Sequence, residues 1–208
     1  MNKNNYGGLF VAFDGPKGVG KTTLIRCVKE DLIEKGIDVW TTKEPTNTPL
    51  GEFTRDISET LKYEGLACLI AADRYQHLNN EIIPKLSAKC VVMTDRYILS
   101  SLILQRMDNV DVNFILSIHA NIIIPDIQFV VTADENIIQK RLNSRKKFIT
   151  RFENGNRTNE ELQYLYDGEK ILHDIGFKTV MADNSGELFN SVSLISNHIV
   201  NALYYSIF

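Results

Sequence analysis

Gly15-Pro16-Lys17-Gly18-Val19-Gly20-Lys21-Thr22 matches the pattern GxxxxGK[ST] at every fixed position, and its surroundings decide the fold. Before it, Leu9 to Phe13 is an apolar run of strand length that stops at Asp14-Gly15; after it, helical periodicity begins at Lys21 and continues to about Lys35. Between a strand and a helix, glycines let a loop curl with its amide N–H groups pointing inward, and the helix adds its positive N-terminal end. Such a cradle suits the β-phosphate of a nucleotide. Lys21 is expected to reach the β- and γ-phosphates, and the Thr22 hydroxyl is the expected Mg²⁺ ligand, because a hard cation takes oxygen and keeps several waters. The nucleotide-binding set is therefore Gly15, Pro16, Lys17, Gly18, Val19, Gly20, Lys21, Thr22 and Thr23. GTPases, ATPases and kinases share this loop, so it does not choose a reaction.

Outward from the loop the pattern repeats. Gly36 closes the first helix, and Val39 to Thr42 reads as a strand ending before Glu44-Pro45. Helices are expected over Leu50 to Leu61, Glu64 to Asn79 and Asn80 to Ala88, the last two either separate or continuous, followed by a buried strand over Cys90 to Thr94. Leu99 to Arg106 and Val112 to Ile122 have helical spacing, and Ile127 to Thr132 is apolar enough for a central parallel strand. A helix over Glu135 to Ser144, a basic stretch Arg145 to Arg151, a helix over Thr158 to Ile175, a strand over Lys178 to Ala182 and a helix over Glu187 to Tyr205 complete the chain. This alternation predicts an α/β protein of the P-loop NTPase fold: a mostly parallel sheet, helices on both faces and a short basic lid at about 143–155. With no repeat or linker in its 208 residues, a single domain over 1–208 is expected.

The composition excludes several classes. A formal net charge of −3, with 44% hydrophobic and 24% charged residues, gives neither a polyanion-binding bulk charge nor the signature of disorder. No nucleic acid is expected as partner. A short chain without a clear strand bearing paired acidic residues weighs further against a helicase-type ATPase. Apolar runs stop short of the roughly 18 to 20 residues of a membrane helix, so no membrane partner is expected. Cys27, Cys68 and Cys90 have neither CxxC nor His-paired spacing, which points to a reducing, cytoplasmic setting. His77 and His119 lack partners at metal-ligand spacing and read as structural.

Four further segments speak to the reaction: Lys43-Glu44-Pro45 after the second strand, Ala71-Ala72-Asp73-Arg74 inside a helix, Asp95-Arg96-Tyr97 after the third strand, and Ser100-Ser101 with Gln105 beyond it. The carboxyl ends of parallel strands share one edge, so these residues should line one cleft with the phosphate loop. In order and spacing, the loop, KEPTNTPLGEFTR, LIAADRYQH, TDRYILSSLILQ, PDIQFVVTAD and RLNSRKKFITRFE together resemble the thymidylate kinase family of nucleoside monophosphate kinases. The resemblance implies transfer of the γ-phosphoryl group of ATP, with Mg²⁺, to dTMP or a related nucleotide by a homodimeric enzyme.

Position by position, the resemblance implies that Arg96 clamps the acceptor's α-phosphate, a task that suits a planar, always-charged guanidinium. Asp95 would help Thr22 order the metal or its waters, Arg74 would read the pyrimidine carbonyl edge, and Gln105 would be its polar partner. Lys43, Glu44, Pro45 and Ser101 join the acceptor site, while Arg141, Arg145 and Arg151 would form the lid. The catalytic set is Lys21, Arg96, Arg145 and Arg151. Three positions depart from the family pattern: Lys17 replaces an aspartate that receives the sugar 3′-hydroxyl, Ile70 replaces a stacking ring, and Leu104 replaces a tyrosine beside the 2′-position. Alternatives therefore stay open: a kinase for a modified nucleotide or other phosphorylated acceptor, or a non-catalytic NTP-binding protein.

Overall fold

The computed structural model of the protein describes residues 1–144 and 158–205. Five strands, β1 (Leu9–Asp14), β2 (Val39–Lys43), β3 (Val91–Asp95), β4 (Ile127–Thr132) and β5 (Thr179–Asp183), form a wholly parallel sheet in the order β2-β3-β1-β4-β5. The glycine loop thus leaves the central strand. The register sets Phe13 and Lys43 opposite Asp95, and Asp14 opposite Val130, so the charged strand ends meet along one edge.

Every residue of β1 is buried because both its faces are covered. Phe10 and Ala12 point into a core shared with α3 (Tyr63–His77), α4 (Ile83–Ser87), α5 (Ile98–Met107), α6 (Val112–Ile118) and α8 (Thr158–Asp174). Leu9, Val11 and Phe13 point the other way, into the core under α1 (Lys21–Glu34), α7 (Glu135–Asn143) and α9 (Leu188–Tyr205). The two-residue period of a strand therefore divides one apolar run between two helical layers. The remaining helix, α2 (Pro49–Ile57), is started by the Thr48 side chain, which accepts from the Gly51 N–H at 3.3 Å.

Two helix ends differ from expectation. Helix α2 stops at Ile57 rather than Leu61, where the Ser58 hydroxyl donates to the Arg55 carbonyl at 2.7 Å and competes for the helix's own acceptors. Helix α6 stops at Ile118 rather than Ile122, and Ile123–Ile124 pairs with Asn2–Lys3 in a short parallel bridge. Of the two arrangements expected for Asn80 to Ala88, the continuous one is found: α3 runs through a wider π turn, Leu78–Ile82, directly into α4. Of the lid expected at about 143–155, all from residue 145 onward, including Arg145 and Arg151, lies outside the described residues. Among the described residues, no helix is long and apolar enough to cross a membrane.

Candidate functional site

The phosphate loop is held from three sides. Gly20, at φ 93°, is the N-cap of α1 in a left-handed conformation that a side chain would strain. At Gly15 a Cβ would stand 2.1 Å from the Val131 carbonyl oxygen, so only glycine lets the loop leave β1 beside β4. The Val19 carbonyl accepts from Arg141 Nη1 (2.9 Å) and Asn184 Nδ2 (2.7 Å), and Arg141 Nη2 also reaches the Asn184 carbonyl (3.0 Å). Arg141 therefore fastens α7 and the end of β5 to the loop.

Lys21 is buried, and its Nζ donates to the carbonyls of Gly15 (2.7 Å) and Pro16 (3.0 Å). Burial, and next the like charge of Arg96, lower its pKa to about 8. Thr22 Oγ1 donates to Asp95 Oδ2 at 2.9 Å, while the other carboxylate oxygen, Oδ1, is buried without a hydrogen-bond partner among the described residues. A hydroxyl and a carboxylate at hydrogen-bond distance, with one orphaned acceptor, fit a hard cation that completes its shell with phosphate and water. Thr23 is exposed one position further along α1.

A cavity of about 320 Å³ adjoins the loop. Lys17 lines it together with Lys43, Glu44 and Pro45 after β2, Thr54 and Arg55 from α2, Leu66 and Ile70 from α3, Arg96 after β3, and Leu104 and Gln105 from α5. A second cavity, of about 40 Å³, shares Glu44, Ile70, Arg96 and Gln105 with the first and is also lined by Arg74, Ser100 and Ser101. The acceptor residues expected from the sequence thus line these two adjoining cavities, and the phosphate loop contributes Lys17 to the larger one.

Arg74 forms the floor of that space and is almost wholly committed to protein partners. Its Nε donates to Glu44 Oε2 (2.7 Å), Nη1 to Ser101 Oγ (3.0 Å) and His119 Nε2 (2.6 Å), and Nη2 to the Tyr97 carbonyl (2.9 Å). Among the described residues, four of the five guanidinium N–H groups are taken. Burial would raise the Glu44 pKa, but the Arg74 charge and the His77 contact outweigh it and leave the carboxyl below its ordinary value. Burial, then the Arg74 charge, lower His119 to about 3, so its ring is neutral. Its Nδ1 lies 2.7 Å from the Ile115 carbonyl and must carry the hydrogen, which leaves Nε2 as acceptor for Arg74. His77 lies 3.2 Å from Glu44 Oε1 and 2.8 Å from Thr42 Oγ1. The two histidines are structural, as expected.

Sequence reasoning gave no individual role to four contributors. Arg55 donates to the Pro45 (2.5 Å) and Thr46 (2.6 Å) carbonyls and lines the cavity. Asp73 fixes the same loop by accepting from Thr46 N–H (2.8 Å) and Oγ1 (2.6 Å). Glu161 of α8 accepts from the Lys17 N–H at 3.3 Å; burial lifts its pKa, against the opposing charges of Arg96 and Lys21. Asp14 had a signal, a carboxylate ending an apolar central strand, and its wholly buried side chain is raised in pKa by that burial.

A P-loop at the edge of a parallel α/β sheet, with a second, cation-lined cavity beside it, defines a P-loop nucleotide-binding protein of the kinase kind. The thymidylate kinase family model matches residues 13–191. A probable thymidylate kinase of Caldivirga maquilingensis is 38% identical over 141 residues, covering 66% of this chain and 69% of that one. One from Thermococcus kodakarensis is 33% identical over 149 residues (66% and 73%), and a thymidylate kinase of Caldicellulosiruptor saccharolyticus is 41% identical over 143 (65% and 69%). This chain belongs to the thymidylate kinase family.

Proposed function

We propose that the protein transfers the γ-phosphoryl group of ATP to a nucleoside monophosphate, with dTMP the first acceptor to test. The observation that carries this reading is that Lys17 of the phosphate loop and Arg96 beyond the neighbouring strand wall a single cavity. Phosphoryl transfer needs alignment and charge neutralisation more than covalent work, and cations and backbone amides are what the site offers. The loop amides and Lys21 hold the donor phosphates, Arg96 holds the acceptor phosphate, and the Arg74 N–H left over with Gln105 orients the base. Thr22 and Asp95 would hold Mg²⁺, which when bound neutralises charge on the donor phosphates. Arg145 and Arg151 complete the site as a lid over the transferring group. The enzyme works in a reducing cytoplasm as a homodimer, for which exposed Phe53 on α2 and Tyr63 on α3 offer apolar area.

A coupled ADP-release assay over a panel of nucleoside monophosphates tests the reading: acceptor-dependent ADP is expected, and its absence with every acceptor overturns it. A second reading, a specialised anionic acceptor, is favoured by the composition of the cavity wall, where Lys17, Lys43, Arg55 and Arg96 outnumber Glu44 and Glu59. Far higher kcat/KM for such a nucleotide than for dTMP would establish it.

A further inference from the structure

None of these roles uses Asp14. At the last position of β1 its carboxylate gathers hydrogen bonds from the Tyr97 N–H (3.1 and 3.2 Å), the Ser100 N–H (3.0 Å), the Ser100 hydroxyl and Gln128 Nε2 (3.2 Å). Helix α5 has Tyr97 as its N-cap, and no side-chain cap comes from that residue. Asp14, 83 residues before Tyr97 and 86 before Ser100, instead satisfies the N-cap and third-position amides that a capping box would satisfy from within the helix. Its negative charge also faces the positive end of α5.

The consequence falls on Arg96, one residue before that cap. Its φ of 79° is an unfavourable conformation for a side-chain-bearing residue, fixed by Arg96 N–H donating to the Phe13 carbonyl (2.8 Å) and Thr94 Oγ1 donating to the Arg96 carbonyl (3.0 Å). At the other end of the side chain, Nη1 donates to Ser100 Oγ at 3.0 Å. A hydroxyl has one proton, and Asp14 takes it, so Ser100 turns a lone pair toward the guanidinium. The geometry points to Asp14, acting through Ser100, as a positioning residue that aims Arg96 into the acceptor cavity. Only what Arg96 grips rests on the kinase reading; the aiming does not.

Ser100→Ala removes the acceptor for Arg96 and leaves both backbone amides to Asp14. The expected result is a KM for dTMP about tenfold higher with the KM for ATP within about twofold, while Ser100→Thr, which keeps the hydroxyl, stays within about threefold of the parent. Asp14→Asn should reproduce the acceptor-selective loss, and the double variant should be no worse than the poorer single one, because both cut the same chain of contacts. Alongside, the Arg96 side-chain Nε–H resonance, assigned by its disappearance in Arg96→Lys, should be sharp in the parent and broadened in Ser100→Ala. An unchanged resonance, or an equal rise in both KM values, overturns the inference. If Asp14→Asn does not fold, the Ser100 variants decide alone. A parent that releases no ADP with any monophosphate would instead sink the kinase reading, and the resonance would still decide this one.

Discussion

Under the proposed function the phosphate loop offers its ligand backbone amides and Lys21, all within eight consecutive residues, whereas the acceptor cavity is walled by Lys17 of that loop and by side chains from α2, α3, α5 and the loop after β2. A backbone site tolerates change at most positions other than its glycines and Lys21, because most of what it offers is the main chain. A side-chain site can be retuned one residue at a time. Lys17, Ile70 and Leu104, the positions that the resemblance sets apart from the family pattern, all line that cavity, while the loop keeps its motif intact. Under the proposed function, divergence at these positions would change what is phosphorylated rather than how the phosphoryl donor is held.

The contrast breaks most sharply at Lys21. Lys21→Ala should lower kcat by about 10³-fold in the ADP-release assay, the scale of losing one preorganised charge contact at the moving group. With the free-enzyme pKa at about 8, kcat/KM for ATP should fall as pH rises through that value, while kcat, measured with phosphates bound beside the ammonium, should hold to higher pH. A kcat that survives the alanine would mean the loop binds without taking part in transfer.

On the acceptor side, Arg74→Met tests a structural load that no loop residue bears. It strands the buried Glu44 carboxylate, and a loss of about 3 to 5 kcal/mol in chemical denaturation is expected, together with loss of acceptor affinity. If stability is untouched, the network is not the floor of the site.

A smaller effect sharpens the comparison at the seam between the halves. Lys17→Asp should raise kcat/KM for dTMP by about tenfold and leave the KM for ATP nearly unchanged, since the residue belongs to the loop by sequence but lines the acceptor cavity. Equal movement of both constants would place Lys17 in the donor half.

The smallest effect is a pH dependence. His119 titrates near 6.5 when unfolded and at about 3 when folded, so below pH 6.5 the unfolded chain binds the extra proton and the fold loses stability as pH falls. Between pH 7 and 5.5 this should remove about 1 kcal/mol, a slope in thermal denaturation that His119→Asn flattens.

The strand and helix order was legible in the chain because apolar runs of strand length alternate with helical spacing, and Ile127 to Thr132 came out with the very bounds of β4. The ends of α2 and α6 were not, because they depend on which hydroxyl or ring takes the last carbonyls: Ser58 for one, His119 for the other. Arg55 stood inside a quoted segment, yet nothing in KEPTNTPLGEFTR says that its guanidinium folds back onto the Pro45 and Thr46 carbonyls.

By itself the sequence determined the phosphate loop, the alternation that makes the sheet parallel, and the set of residues that follow its strands. Those are local facts: a loop of eight neighbours and the period of each apolar run need no distant partner. Only the tertiary structure decided that Arg74 is nearly saturated by Glu44, Ser101, Tyr97 and His119, that His119 must be a neutral acceptor, and that Asp14 caps a helix 83 residues away. A hydrogen bond has a direction and a reach of about 3 Å, and its partners are named only when the fold brings them together.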